Sequence, residues 1–592
     1  MTTLLRRAVA LLALLALLVA AGCGDDDGGS TEAGDGGGGS AEVGAPVTET
    51  ASDAQKGGEL TVLSAGDVDY LDPGKAYYAF SFMVLYPMHM TLYAFEPGNP
   101  EEAAPMLADG DAEVSDDGLT VTVKIKDGVR FSPPVDREVT SADVKYAIER
   151  AFTKEVTNGY VNSYFANIKG VDAFKKGDAD EISGIETPDD LTIVFNLTRG
   201  GPLVGALSMP ITAPVPKEYA REFDSKNPST YGENQVTTGP YMLDSYRPGR
   251  EIVLTRNPNW DGELDPRPAY LDRIVFSEGN DDATVASRQI LEGKGMVSGD
   301  FPPPPAVIKS TVQGDTKELI QFNPGSGTRW VSMDTTRPPF DDLNVRKAVL
   351  AGFDSNAMRL TRGGELIGDI ATHMLYPGVS GFEEAGGMEG FGLDFLSNPS
   401  GDEELAAEYL RKAGFESGKY EGPPILMVGE NAGVDQAAAQ VAQRQFEKLG
   451  FKVNLRQVPG DTMYTKFCNV PSSDTQVCPN VGWIRDFADP ETVLGPTFNG
   501  NNIVPENNVN WPELDDPAIN KAMDEASALT DPDERAQAWA DIDRMITEQA
   551  PLIPWLWDKF PTIHSTDVQG VNALWNQGSY DLAYTSLAGA GS

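Results

Sequence analysis

Histidine and cysteine are scarce in this chain, three of each, which leaves little from which to build a catalytic or metal centre. His89, His373 and His564 stand far apart, and neither a Gly-x-Ser-x-Gly elbow nor a His-Glu-x-x-His helix occurs. No catalytic residue, no metal site and no cofactor is expected, and the chain is read as a non-enzyme, with a surface hydrolase as the remote alternative. Met88-His89-Met90 offers soft ligands that copper or nickel could use. Its apolar neighbours, Phe82 to Leu85 and Leu92-Tyr93, read instead as core. Positive charge is also in deficit, with 46 basic residues against 89 acidic ones and a net charge of −43. Nucleic acid and anionic lipid would be repelled, so neither is an expected partner, and the acidity is read as a source of solubility. Long apolar runs are missing apart from Ala8 to Ala21, which is shorter than the roughly 20 residues that span a bilayer.

That run is preceded by Arg6-Arg7 and followed by Ala20-Ala21-Gly22-Cys23, the layout of a secretory leader. Small residues directly before a cysteine resemble the bacterial lipobox. The resemblance implies cleavage after Gly22 and acylation of Cys23, with ordinary secretion and a stray thiol as the alternative. From Gly24 to Gly58 the chain is Gly, Ser, Asp, Glu, Thr and Ala with almost nothing large and apolar, which cannot form a core and reads as a tether. The two remaining cysteines, Cys468 and Cys478, stand close together in a chain bound for a compartment where disulfides persist, and are expected to pair. A two-cysteine metal site is the competing reading, and neither His nor a further Cys lies nearby.

Beyond the tether, strand-like and helix-like segments mix. Glu59 to Leu63 and Leu119 to Ile125 alternate as strands, the second ending at the turn pair Asp127-Gly128. Thr140 with Asp143 three positions on opens a helix, and further helices are expected over Glu403 to Ala413, Gln436 to Leu449 and Asp533 to Gln549. Gly450 should close one of them and lead into a strand over Phe451 to Leu455, a unit of ordinary α/β construction.

From Gly57 onward a series of short blocks carries a resemblance. Gly57-Gly-Glu-Leu-Thr-Val62 with Leu71-Asp-Pro73 resembles the entry strand and turn of the large solute-binding proteins of ATP-driven oligopeptide, dipeptide and nickel importers. Asp117-Gly118-Leu119, Gly128-Val-Arg-Phe131 and Thr140-Ser-Ala-Asp-Val144 follow, then Thr238-Gly-Pro-Tyr241, Arg256-Asn-Pro-Asn-Trp260, and Pro339-Phe-Asp-Asp342 with Val345-Arg-Lys-Ala348. Their order over almost the whole chain carries the resemblance. It departs at Ser132 to Glu138, where many members have a short His-Asp-Gly turn.

The resemblance implies an α/β, two-lobed fold like that of periplasmic binding proteins, of type II and the large peptide-binding class, with an extra sub-domain in lobe one. The expected organisation is 1–22 leader; 23–57 lipidated Cys and tether; 58–100, 223–329 and 555–592 lobe one; 101–222 its sub-domain; and 330–554 lobe two. It also implies a monomer, lipid-anchored at the outer face of the cell membrane, that closes on an oligopeptide and delivers it to the permease and ATPase subunits of an ABC importer. A nickel or other metal chelate and an oligosaccharide are the alternative solutes.

The segment Asn480-Val-Gly-Trp-Ile-Arg-Asp-Phe-Ala-Asp-Pro490 resembles the family's ligand segment, in which an aspartate four residues before a proline receives a peptide ammonium. Asp486 holds that position. The competing reading pairs it internally with Arg485 or uses it to cap a turn, and strand alternation would set Trp483 and Arg485 on one face with Asp486 on the other. Trp483, Trp330, Tyr77 and Tyr78 are expected apolar walls, and Arg329 and Arg485 are candidates to meet a peptide carboxylate.

Overall fold

The computed structural model describes residues 51–590 apart from Ser326, Asn572, Ala573 and Gln577. The leader, Cys23 and most of the tether, on which several expectations fall, lie outside the described residues. The first strand, Glu59–Leu63, forms where alternation places it, with Leu60 and Val62 fully buried. It runs parallel to Arg273–Ser277 on one side and Met296–Ser298 on the other, and Glu251–Arg256 and Tyr241–Arg247 complete a five-stranded mixed sheet.

Between Leu107 and Tyr241 the chain leaves this sheet to build a four-stranded antiparallel one, in the order Glu113–Val114, Thr120–Lys124, Thr192–Asn196, Ile185–Asp189. The helix Ser141–Ala151 packs on it, so that Val144 and Ile148 share a core with Val121, Val123, Ile193 and Phe195. The helix starts as expected: the Thr140 backbone N–H donates to Asp143 Oδ2 at 2.8 Å, the reciprocal half of a capping box. Its last turn carries Arg150, whose Nη1 and Nη2 donate to Asp72 Oδ1 and Oδ2 at 2.6 and 2.7 Å, while Nε and Nη2 reach Asp224 at 2.9 and 2.6 Å. Arg150 thereby joins the helix to the Leu71-Asp-Pro73 turn and to the helix Lys217–Asp224.

The second large sheet has six strands in the order Gly368–Asp369, Leu552–Asp558, Thr328–Met333, Val477–Trp483, Ile425–Glu430, Val453–Val458. Val331 and Met333 face one core and Trp330 the other, as alternation requires. The helices observed are Glu403–Lys412, Gly433–Lys448 and Pro532–Glu548, each within a few residues of its expected span. The strand after Gly450 begins at Val453 rather than Phe451 and runs to Val458.

Pro554, taken as the end of lobe two, lies inside a strand buried along its whole length, and the six-stranded sheet holds the chain through Asp558. Proline has no N–H for a ladder, and the register of this strand against Thr328–Met333 shifts where Pro554 meets Trp330, so the irregularity absorbs it. The chain passes between the two large sheets twice, and the two passages pair antiparallel as Ile320–Asn323 with Phe560–Ile563. At the first, Gly327 has a φ of +91° and runs against the Trp483 carbonyl, where any Cβ would collide. The tail then returns to the five-stranded sheet, where Val571, Leu582 and Ala583 join the core of Leu60 and Val62. Among the described residues, no helix is long and apolar enough to cross a membrane.

Candidate functional site

The strand Val477–Trp483 ends at Trp483, and the chain turns through Ile484 to Asp489 before the helix Glu491–Phe498. Because the strand stops there, the alternation expected for Trp483, Arg485 and Asp486 does not continue. All three line one cavity of about 180 Å³. Tyr77, Tyr78 and Asp69 reach it from the segment after the first strand, Tyr464 from the helical turn Tyr464–Cys468 and Trp511 from a loop, both beside the six-stranded sheet.

Asp486 is 4% exposed and accepts hydrogen bonds from the hydroxyls of Tyr77 at 2.7 Å and Tyr164 at 2.5 Å. Its backbone N–H donates to Thr492 Oγ1 at 3.2 Å, which fixes the turn. Burial pushes its carboxyl up to about 7 against the pull of the two tyrosines. Asp69 holds the facing segment: it accepts from the backbone N–H groups of Tyr77 and Tyr78 and from the Ser81 hydroxyl, at 2.9, 3.1 and 2.6 Å. Burial raises it to about 6 in spite of those bonds.

The walls are aromatic. Trp483 meets Tyr77 edge to face at 5.1 Å, and its indole N–H donates to the Thr492 carbonyl at 2.7 Å. Trp511 stands 5.9 Å from Trp483. Trp330 does not line the cavity: it is 0% exposed and packs behind Trp511 at 5.3 Å, so the structure makes it core rather than wall. Tyr78 does line it, beside Tyr464 at 6.3 Å. The Arg485 guanidinium donates to the Gly378 carbonyl at 3.2 Å, and its backbone N–H to the Tyr376 hydroxyl at 3.0 Å. Arg329 edges the cavity with its Nε committed to Asp558 Oδ2 at 2.6 Å. His89, by contrast, is buried in a small separate cavity with Nε2 2.7 Å from Gln235 Oε1. Among the described residues, no group of three or more His, Cys, Asp or Glu side chains could hold a metal ion.

Sequence reading missed Asp69, Tyr164, Tyr464 and Trp511. Tyr164 lies 322 residues from Asp486 along the chain, and nothing local announces their contact. Trp511, alone among the asparagines 507, 508 and 510, was the legible one: a large aromatic in a polar loop has its ring to cover.

Cys468 and Cys478 form a disulfide with Cα atoms 6.2 Å apart, tying the turn Tyr464–Cys468 to the strand that ends at Trp483. Replacing both by serine is expected to lower stability by about 3 kcal/mol, the loop-closure value for so short a loop, and to weaken ligand binding because Tyr464 loses its tether. Denaturant titration with and without reductant checks it: parent and variant should coincide once the parent is reduced.

Two packed α/β lobes joined by a double passage, with an aromatic cavity lined by a buried carboxyl group, have the architecture of a type II solute-binding protein. Residues 102–504 match the model of the bacterial extracellular solute-binding proteins, family 5, and the chain belongs to that family. It is 25% identical over 467 residues to the oligopeptide-binding protein OppA of Bacillus subtilis, across 77% of this chain and 79% of that one. Identity to di/tripeptide-binding protein 3 of Pseudomonas aeruginosa is 24%, across 81% and 84%. Among solved structures, clavulanic acid biosynthesis oligopeptide binding protein 2 superposes with a TM-score of 0.75 at 28% identity, covering 92% of this chain and 98% of that one.

Proposed function

We propose that this protein captures oligopeptides outside the cytoplasm and hands them to an ABC importer, its permease and ATPase subunits, held at the membrane as a monomer by a lipid on Cys23. The observation that carries the peptide reading is Asp486, a carboxyl buried in an aromatic cavity and raised to about 7 by that burial. A peptide ammonium entering the closed cavity keeps its charge, and a carboxylate beside it offsets the desolvation of both. The walls, Trp483, Tyr77 and Trp511, offer apolar surface that does not demand one particular side chain, which suits a broad range of peptides. The relatives named for oligopeptide and di/tripeptide binding support the same reading.

Protein purified from its secreting host should carry ligand. Native mass spectrometry is expected to show adducts that, once released, sequence as peptides with free amino termini; a metal chelate or sugar as the sole adduct would overturn the peptide reading. Cys23→Ala is expected to move the protein from the membrane fraction to the soluble one, and a variant that still sediments with membranes would remove the lipid anchor from the proposal.

A further inference from the structure

A second cavity of about 100 Å³ opens beside the first and shares Tyr78, Arg329, Asp461 and Tyr464 with it. Its remaining charged wall comes from both lobes. Asp300 follows the strand Met296–Ser298 of the five-stranded sheet and accepts from the backbone N–H groups of Ala65 and Gly66 at 2.8 and 3.0 Å. Glu430 ends the strand Ile425–Glu430 of the six-stranded sheet, and Asp435 sits in the helix that follows.

The cations nearby are already engaged. Arg329 donates to Asp558 at 2.6 Å, and Arg362 divides its guanidinium between Asp435 at 2.9 Å and Asp558 at 3.2 Å. Two guanidinium groups thus pair with Asp558 and Asp435 and attract Glu430 at longer range, and the four carboxyls of Asp558, Asp435, Glu430 and Asp300 outnumber them. Among the described residues no donor hydrogen-bonds the Glu430 carboxyl. Burial, and then the neighbouring Asp435, raise its proton affinity, and burial brings Asp300 to about 6. The wall shared by the two cavities is aromatic, with the rings of Tyr78 and Tyr464 6.3 Å apart. Carboxyls in excess of the cations around them, beside tyrosine rings, form the surroundings that an ammonium or guanidinium group prefers.

We propose that this second cavity is a specificity pocket for a cationic side chain, lysine or arginine, of the bound peptide, with Glu430 and Asp300 as its charge partners and the Tyr78 and Tyr464 rings flanking its stem. The proposal rests on the peptide reading above and narrows it to basic peptides. Because the two carboxyls come from different lobes, a side chain seated between them also bridges the lobes.

Isothermal titration tests this with alanine-based peptides of three to five residues that carry one lysine, moved through every position, and a matched series with norleucine, which keeps the stem and removes the charge. At one position lysine is expected to bind at least about ten-fold more tightly than norleucine. That ratio should fall toward one in Glu430→Gln and, from the other lobe, in Asp300→Asn, with each variant's folding verified by its melting temperature. Equal affinity of lysine and norleucine peptides at every position would overturn the pocket while leaving peptide capture intact, as would a lysine preference that survives both substitutions. Failure of every peptide in both series to bind would overturn the peptide reading, and the pocket with it.

Discussion

Asp486→Asn is expected to weaken binding of a peptide with a free amino terminus by at least about thirty-fold. Removing one partner of a buried charged pair typically costs about 2 to 5 kcal/mol, and the lower end of that range corresponds to such a factor. An N-acetylated peptide should bind the parent as poorly, and the substitution should weaken it no further, which makes the comparison a double-mutant cycle between protein charge and ligand charge. Titration calorimetry supplies all four affinities. Equal losses for the free and acetylated peptides would mean that Asp486 acts on the fold and not on the ammonium.

The raised carboxyl adds a pH dependence with a defined sign. In the empty protein the neutral form of Asp486 is favoured, with a pKa of about 7 against an ordinary value of 3.8. Its contribution to stability is therefore fully present below about pH 4 and is lost as pH rises through 7, with a total on the order of 4 kcal/mol. Asp486→Asn removes that loss, so the empty variant should melt higher than the parent at pH 8, by a smaller margin at pH 5, and close to it only at about pH 4. Binding runs the other way. An ammonium ligand needs the carboxylate, so the proton must leave, and affinity should rise nearly ten-fold per unit up to pH 7 and then level. The acetylated peptide should show no such slope.

The second large effect concerns stability away from the cavity. Arg150 is 2% exposed and Asp72 6%, and the guanidinium spans Asp72 and Asp224. Arg150→Met keeps much of the volume and leaves two carboxyls without their cation, one of them deeply buried, a change expected to cost about 3 to 5 kcal/mol. Pairing it with Asp72→Asn should return a substantial part of that loss, since the uncompensated charge is what destabilises. Urea unfolding followed by circular dichroism reads both variants. A single variant within about 1 kcal/mol of the parent would show that water enters to solvate Asp72 and that the pair is not a fastening of the sub-domain.

Much of the fold was legible because local chemistry agreed with it. Thr140 with Asp143 marked a helix start, alternation marked Glu59–Leu63, and Gly450 marked the step from helix to strand. Pro551 and Pro554 marked the end of the preceding helix, but not that Pro554 enters a strand at a register shift, which a sequence does not display. At the site, Asp486 stood in a segment whose resemblance was local, so it could be named. Its two tyrosine partners lie 409 and 322 residues away, and only the packing of one lobe's segments on the other's brings them there. Trp330 and Trp483 looked alike in sequence, since both are aromatic residues in strands of one sheet. Both are buried, but Trp483 lines the cavity while Trp330 sits behind Trp511 and Phe498, which come from later in the chain.

The pairing of Trp483 with Trp511 gives the cavity an optical voice. Both indoles are hydrogen-bonded through their ring nitrogens, Trp483 to Thr492 and Trp511 to Asn469, so their orientations are fixed. A peptide bound as proposed would bring an ammonium to Asp486 and so a new field across Trp483, and would cover the Trp511 ring. Emission wavelength and quantum yield then change together, without any attached dye. Trp330, 5.3 Å behind Trp511, lies within reach for excitation transfer to that ring, so the core indole is expected to contribute to the same signal.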